Sequence, residues 1–387
     1  MNYSGYNKDM VKQQLRTIKY FILRNFTRIY SCFKPIERKI LFESFGGLQY
    51  SDNPKAISEV MHKYYPDFMI VWSINCNHLD LPQYIKTCKR SDLSFYKELA
   101  TSFCFVTNEN IGEEIYKRKE QFFIQTWHGD KPLKKVLYDI NGFLTNVIDD
   151  VVDDLCIAGS KAGERQYRTA FKYKGEVLMV GTPRNDKLII NNKESLNLIK
   201  SKINIPDNTK ILLYAPTFRD IQKGKQNSLI DLNETLEHLS AKGEKWIALI
   251  RAHPASKGLI IQGNNIIDVT EYPDMSDLLC ITDMLITDYS SCAGDFAITG
   301  KPVILAVFDY DYYKTYCREF AYNLEETGLI LAKDQNELNI IIDTMDENDY
   351  KNNCNRINNF FGVCETGKSS EIICRRINEE YLKKHLL

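Results

Sequence analysis

The sequence predicts an α/β protein built from two parallel-sheet domains. Short β-rich runs alternate with segments of helical length, which argues for parallel strands joined by crossover helices. The alternation falls into two sets, separated by a polar, largely helical stretch at 187–208. The chain has 387 residues, more than a single core usually organises.

In the first set the strand candidates are 40–45, 68–74, 103–107, 122–126, 154–158 and 177–180. In the second they are 211–215, 246–250, 266–269, 284–287, 303–307 and 329–332. No low-complexity segment or fixed-period repeat interrupts them. Apolar residues make up 44% and charged residues 26%, the balance of an ordinary globular chain. A net charge of −1 gives no overall attraction to nucleic acid, so electrostatic targeting must be local. The 11 cysteines are scattered and form no C-x-x-C pair. A disulfide framework or zinc site is not expected, and a reducing compartment is. No run reaches the ~20 apolar residues of a spanning helix, and the polar start does not read as a signal peptide. A cytoplasmic location follows as an expectation.

Ahead of the first strand, Val11, Leu15, Ile18, Ile22, Phe26, Ile29 and Phe33 recur at helical spacing and share one face. Lys12, Arg16, Lys19, Arg24, Arg28 and Lys34 accompany them, with no acid between Asp9 and Glu37. Such a basic amphipathic helix either lies in an anionic membrane interface or packs on its own domain.

In open parallel sheets, ligands bind beyond the carboxyl ends of strands. Here "FESFGGLQYSDNPKA", "TWHGD", "GTPRND", "APTFRD", "RAHP" and "TDYSSCAGD" each follow a strand candidate. In the first of these, Asn53 is placed to cap a helix whose first residue is Pro54. In "TDYSSCAGD", Ser290 and Ser291 precede a short helix, and backbone N–H groups with hydroxyls suit a phosphate. The plainer reading is that one serine caps the helix. Arg219 offers a planar fork for phosphate, unless Asp220 pairs with it, and Arg184 sits similarly. Of six histidines, only His128 and His253 follow strands, where imidazole can move a proton or stabilise a leaving phosphate. A P-loop, a dinucleotide fingerprint and H-E-x-x-H are missing. No metal and no cofactor are expected.

"ILFESFGGLQYSDNPKAI", "QTWHGDKPLKKV", "VGTPRND", "ILLYAPTFRD", "RAHP", "DVTEYPDMSDLLCITDMLITDYSS" and "KPVILAVFDYDYY" together resemble the CDP-glycerol glycerophosphotransferases of teichoic-acid and capsule synthesis. The resemblance runs from about Ile40 to the end of the chain. It implies two Rossmann-like domains facing across a cleft in a GT-B-type arrangement. The expected divisions are an arm at 1–36, an acceptor domain at 37–190, a CDP-alcohol domain at 191–355 and, at 356–387, a helix returning to the first domain. The implied reaction moves glycerol phosphate, or another polyol phosphate, from a CDP-alcohol to a hydroxyl of a lipid-linked primer or polymer. CMP is released, and the work is done on the inner face of the cell membrane. Carried onto this sequence, His128 is the base and His253 stabilises the departing CMP phosphate or the donor pyrophosphate. Arg219, Ser290 and Ser291 hold the pyrophosphate, Asp288 orients their loop, and Asp295 meets the donor polyol or ribose. Asp130, Arg184 and Asn53 are acceptor-side or accessory residues. The family usually has Thr where this chain has Asp130; an acid there either orients His128 and raises its pKa or marks a different acceptor. A Pro-Gly pair common near 318–330 is also missing. Two further readings stay open: a GT-B glycosyltransferase using a nucleotide-sugar, and an inactive membrane-associated scaffold.

Overall fold

The computed structural model describes residues 3–76, 80–140, 153–206, 208–217, 230–252, 263 and 265–385. The first domain holds a seven-stranded sheet of β1 (Glu37–Glu43), β2 (Met69–Ser73), β3 (Lys86–Cys88), β4 (Ser102–Thr107), β5 (Phe122–Gln125), β6 (Leu155–Ala158) and β7 (Glu176–Met179). The second holds a six-stranded sheet of β8 (Lys210–Ala215), β9 (Trp246–Ile250), β10 (Ile266–Asp268), β11 (Met284–Thr287), β12 (Val303–Ala306) and β13 (Ile330–Ala332). Every pairing between these strands is parallel.

The helices of the first half are α1 (Tyr3–Cys32), α2 (Asp52–Tyr64), α3 (Leu93–Thr101), α4 (Lys161–Thr169), α5 (Asp186–Ile190) and α6 (Lys193–Lys202). Those of the second are α7 (Leu232–Ser240), α8 (Met275–Ile281), α9 (Cys292–Phe296), α10 (Tyr310–Tyr316), α11 (Gln335–Thr344), α12 (Glu347–Phe361) and α13 (Ser369–His385). α13 crosses back and packs on α2, burying Ile373, Cys374 and Ile377 in the first domain's core.

The strand order is β3-β2-β1-β4-β5-β6-β7 in one sheet and β10-β9-β8-β11-β12-β13 in the other. Both are doubly wound from a central pair, so each has one point where the order reverses: β1 beside β4, and β8 beside β11. Crossover helices diverge there and leave a crevice at the strands' carboxyl ends. Apolar residues cover both faces of each sheet. Leu41, Val71, Phe105 and Phe123 face one core of the first domain, and Ile40, Phe42, Ile70 and Trp72 the other. Near-continuous burial of this kind is what makes parallel strands readable as unbroken apolar runs.

Eleven of the twelve strand candidates in the sequence match observed strands within two residues at either end, and the 40–45 candidate lies over β1, which begins three residues earlier. The three-residue edge strand β3, Lys-Thr-Cys, has no counterpart among them, since it is polar and too short to show alternation. The expected helix cap at Asn53 is corrected: α2 begins at Asp52 after Ser51, placing Pro54 third. Asn53 is fully buried and its side chain bonds other loops instead.

α1 packs on α3 through Leu23 and Phe26, with Thr27 buried beneath. The stripe that periodicity marks faces mostly outward. Leu15, Ile18, Ile22, Ile29 and Phe33 are exposed, Phe33 to 79%, and Phe21 beside them is exposed to 70%. Among the described residues no helix is long and apolar enough to cross a membrane.

Candidate active site

His128 stands just past β5, next to the β1/β4 reversal, and its ring is positioned by neighbours from three loops. Its Nδ1 lies 2.8 Å from the backbone carbonyl of Asn108, which follows β4. A carbonyl only accepts, so Nδ1 carries the hydrogen, and in the neutral ring Nε2 is the bare nitrogen. The ring lies 5.4 Å from Phe45 and 4.1 Å from Trp127, centroid to centroid.

Both aromatic neighbours are backbone outliers. Phe45 has φ 49° and Trp127 φ 50°, a region that costs a non-glycine residue roughly 1–3 kcal/mol. Two asparagines hold these conformations. Asn108 Oδ1 accepts from the Phe45 N–H at 2.9 Å, and Asn53 Nδ2 donates to the Trp127 carbonyl at 2.9 Å. Asn53 Oδ1 also accepts from the Arg184 N–H at 3.1 Å, tying the His128 loop to the "GTPRND" loop.

In the second domain, Asp288 at the end of β11 accepts from the Thr217 N–H at 3.0 Å and from its neighbour Tyr289 N–H at 2.6 Å. It thereby joins the two strand ends that flank the β8/β11 reversal. The buried ring of Tyr289 stacks on Tyr313 at 4.0 Å and anchors the turn from inside. Ser290 and Ser291 are both partly exposed. Ser291 makes no side-chain cap bond to α9, and Ser290 Oγ accepts only a long 3.4 Å contact from Cys292. Capping therefore does not account for the pair. The turn faces the histidine loop: a Cβ added at Gly129 would lie 3.8 Å from Ser291 Oγ. Arg219 and His253 lie outside the described residues.

Below this meeting point is a buried cluster of charges. Lys131 has no exposure, and its Nζ lies 2.9 Å from Glu365, 3.1 Å from Asp130 and 3.2 Å from Asp295. Asp295 Oδ2 also accepts from Arg184 Nη2 at 2.8 Å, and its Oδ1 from Asn185 at 2.9 Å. Arg184 further reaches Asp52 at 3.3 Å, and Glu365 accepts from Asn185 and the Thr182 N–H. Burial acts to raise the Asp295 pKa, but Arg184 and Lys131 outweigh it and hold the carboxyl at about 2. Close approach here depends on Gly294, where a Cβ would stand 2.7 Å from that of Lys131.

Three expectations change on this geometry. Asp295 is buried, and both its oxygens bond protein donors from the first domain. Arg184 is spent on Asp295 and Asp52. Asp130 does not orient His128: its Oδ1 accepts from the Gly159 N–H at 2.7 Å, its carbonyl from Ser160 Oγ, and Asn108 sets the imidazole instead. Burial raises the Asp130 pKa despite the adjacent Lys131.

Comparison with known proteins follows the same lines. Residues 26–379 match the family described as CDP-Glycerol:Poly(glycerophosphate) glycerophosphotransferase. The chain belongs to this family. It is 33% identical over 351 residues to a Staphylococcus epidermidis teichoic acid poly(glycerol phosphate) polymerase, covering 83% of this chain and 48% of the relative. A Staphylococcus aureus teichoic acid glycerol-phosphate transferase is 31% identical over 377 residues, 90% of this chain and 96% of its own. The chain thus spans about half the length of the polymerase it matches. A solved structure of the wall teichoic acid polymerase TagF superposes with TM-score 0.81 at 29% identity, over 98% of this chain and 99% of that one. A histidine variant of TagF soaked with CDPG gives TM-score 0.81 at 28% identity, with 98% and 99% covered.

Lys131 and Asn185 lie inside the "QTWHGDKPLKKV" and "VGTPRND" motifs but are not singled out from them, and Asn108 and Glu365 lie outside every quoted motif. Lys131 and Glu365 are 234 residues apart, and no local pattern links them. Asp295→Asn should cost roughly 3–5 kcal/mol, the range for breaking a buried ion pair from one side. Denaturant unfolding would measure it, and a loss below about 1 kcal/mol would refute a structural role for the pair. The Asp295 contribution has a depressed folded pKa. It is therefore present above the unfolded value, about 3.9, and is lost as pH falls through about 2.

Proposed function

We propose that the chain transfers glycerol phosphate from CDP-glycerol to a hydroxyl of a lipid-linked or polymeric acceptor. The observation that carries this reading is the His128 ring, with Nδ1 committed to Asn108 and Nε2 bare in the neutral ring, on a loop whose next residue, Gly129, lies against Ser291 of the opposite domain. His128 Nε2 takes the proton of the acceptor hydroxyl as its oxygen attacks the phosphorus that bears glycerol. The bridging P–O bond breaks and CMP leaves with the electron pair. Ser290 and Ser291 hold the pyrophosphate, with Arg219 and His253 assigned to the same task from sequence. Asp288 fixes the turn they share. In-line displacement needs positioning and charge neutralisation more than covalent chemistry. Family membership and the CDPG-soaked TagF variant support the donor class. Arg184, Asp130 and Asn53 serve as accessory residues by holding the histidine loop, and Asp295 acts through Arg184 as a positioning residue.

The same reading extends to the arm. α1 lies in an anionic membrane surface with Leu15, Ile18, Ile22, Ile29 and Phe33 among the acyl chains. Support comes from the exposure of that stripe and from the flanking Arg16, Lys19, Arg24 and Arg28. This places the cleft at the inner face of the membrane, beside a lipid-linked acceptor.

Incubation with CDP-glycerol, CDP-ribitol and UDP-sugars, each with candidate acceptors, tests the reaction. CMP is the expected product, and a nucleoside diphosphate would mean glycosyl transfer instead. His128→Ala should lower kcat by about 10²- to 10⁴-fold while CDP-glycerol affinity stays within about twofold. Turnover at the wild-type rate would remove His128 from the chemistry. For the arm, Ile22→Glu with Ile29→Glu should reduce sedimentation with phosphatidylglycerol vesicles by about tenfold or more, given the apolar area lost. Unchanged sedimentation would rule out this face as the anchor.

A further inference from the structure

Arg251 lies one residue past β9, in a motif where sequence reading singles out only the histidine. Its backbone N–H donates to the Tyr214 carbonyl at 2.9 Å. The register pairs Ile250 with Tyr214 and Tyr214 with Ile286, so Arg251 is level with Ala215 and Thr287. It therefore stands at the same height as the strand ends that carry Thr217 and the Asp288–Ser291 turn.

Among the described residues its guanidinium is not fully satisfied: Nη1 is buried with no hydrogen-bond partner there, although the side chain as a whole is partly exposed. The nearby carboxylates are already used. Asp274 pairs with Lys55 at 2.9 Å and Lys187 at 3.1 Å, and Asp277 with Lys187 at 2.6 Å. Burial depresses the Arg251 pKa, and the influence of Asp274, Cys292 and Asp277 does not offset it. Cys292 opens α9, immediately after Ser291, so the guanidinium is within electrostatic range of the serine turn. An arginine stays protonated in a protein, and a buried charge without its counter-ion is costly. An anion that brings its own oxygens would remove that cost. The planar fork suits phosphate oxygens in particular.

We infer that Arg251 is a ligand of the donor's pyrophosphate, completing the cradle formed by Ser290 and Ser291. This rests on the glycerol-phosphate transfer reading above and adds a residue to it. A second phosphate source is the acceptor polymer, whose phosphodiesters carry the same charge. The level of Arg251 among the second-domain strand ends favours the donor.

The test uses the full chain and isothermal titration with CDP-glycerol and, separately, with a glycerol-phosphate oligomer. Arg251→Gln should weaken CDP-glycerol binding by about ten- to hundredfold, the range for a hydrogen bond to a charged group, and leave oligomer binding unchanged. Arg251→Lys keeps the charge but not the fork and should weaken donor binding by a smaller factor, about three- to tenfold. Because Nη1 has no hydrogen-bond partner among the described residues, Arg251→Gln should unfold at a denaturant midpoint no lower than wild type when no ligand is present. A lower midpoint combined with unchanged donor affinity would make Arg251 a structural residue and overturn the inference. Weakened oligomer binding with unchanged donor binding would overturn it too. If Arg251→Gln does not fold, wild-type donor affinity in Arg251→Lys is enough to reject it. Wild-type protein that releases no CMP from CDP-glycerol would instead overturn the transfer reading itself, which separates the two failures.

Discussion

Lys131 carries its charge where water does not reach, and three carboxylates converge on it, two of them from distant parts of the chain. Asp130 comes from the same loop, Asp295 from the second domain and Glu365 from the segment that leads into α13. A lone ammonium in that position would cost several kcal/mol, and so would each carboxylate. The charges are tolerable only together, so the domains cannot separate at this point without exposing or stranding them. Arg184 adds a second bridge to Asp295, and Asn185 a third. The cluster is therefore a constraint on geometry more than a source of net stability. It fixes the "TWHGD" loop against the serine turn.

That constraint gives the strained backbone beside His128 a physical basis. Phe45 and Trp127 persist at positive φ only because their surroundings over-determine them. Asn108 and Asn53 bond their backbones, and Asn53 is in turn bonded to the Arg184 N–H. Arg184 is anchored on Asp295. The chain of contacts runs from the charge cluster through Asn53 to the Trp127 carbonyl, one residue from the imidazole. The orientation of His128 is thus coupled to the relative position of the domains.

Much of the fold was legible because parallel strands buried on both faces leave unbroken apolar runs, as in β4 and β11. β3 was not legible, since an edge strand of three polar-leaning residues leaves no periodic signal. Position near a strand end drew attention to Arg184, Asp295 and Asn53, but position does not disclose the partner. Each was open to a ligand in sequence and is bonded to protein in three dimensions, and the partners lie 73 to 164 residues away. Asp130 was conspicuous as the replacement of a usual Thr. Its place is explained by Lys131, its neighbour in the chain, and by the Gly159 N–H 29 residues away; adjacency alone does not disclose that both are buried together. The apolar stripe of α1 was readable from spacing, while the direction it faces depended on which side Leu23 and Phe26 gave to the domain.

Two arginines at strand ends show how the same residue type is put to opposite uses. Arg184 is buried with its charge matched, by Asp295 at 2.8 Å and Asp52 at 3.3 Å, and neighbouring acids push its pKa up. Arg251 is half-buried with Nη1 unpartnered among the described residues, and burial pushes its pKa down. A site that must bind an anion and then release part of it cannot neutralise every cation in advance, since a fully paired guanidinium has no fork left to offer. A scaffold that must hold two domains in register cannot leave its cations unpaired, because the desolvation cost would favour separation. Arg184, paired, sits in the charge cluster that joins the two domains, and the anion role proposed for Arg251 depends on a fork that Arg184 no longer has to offer.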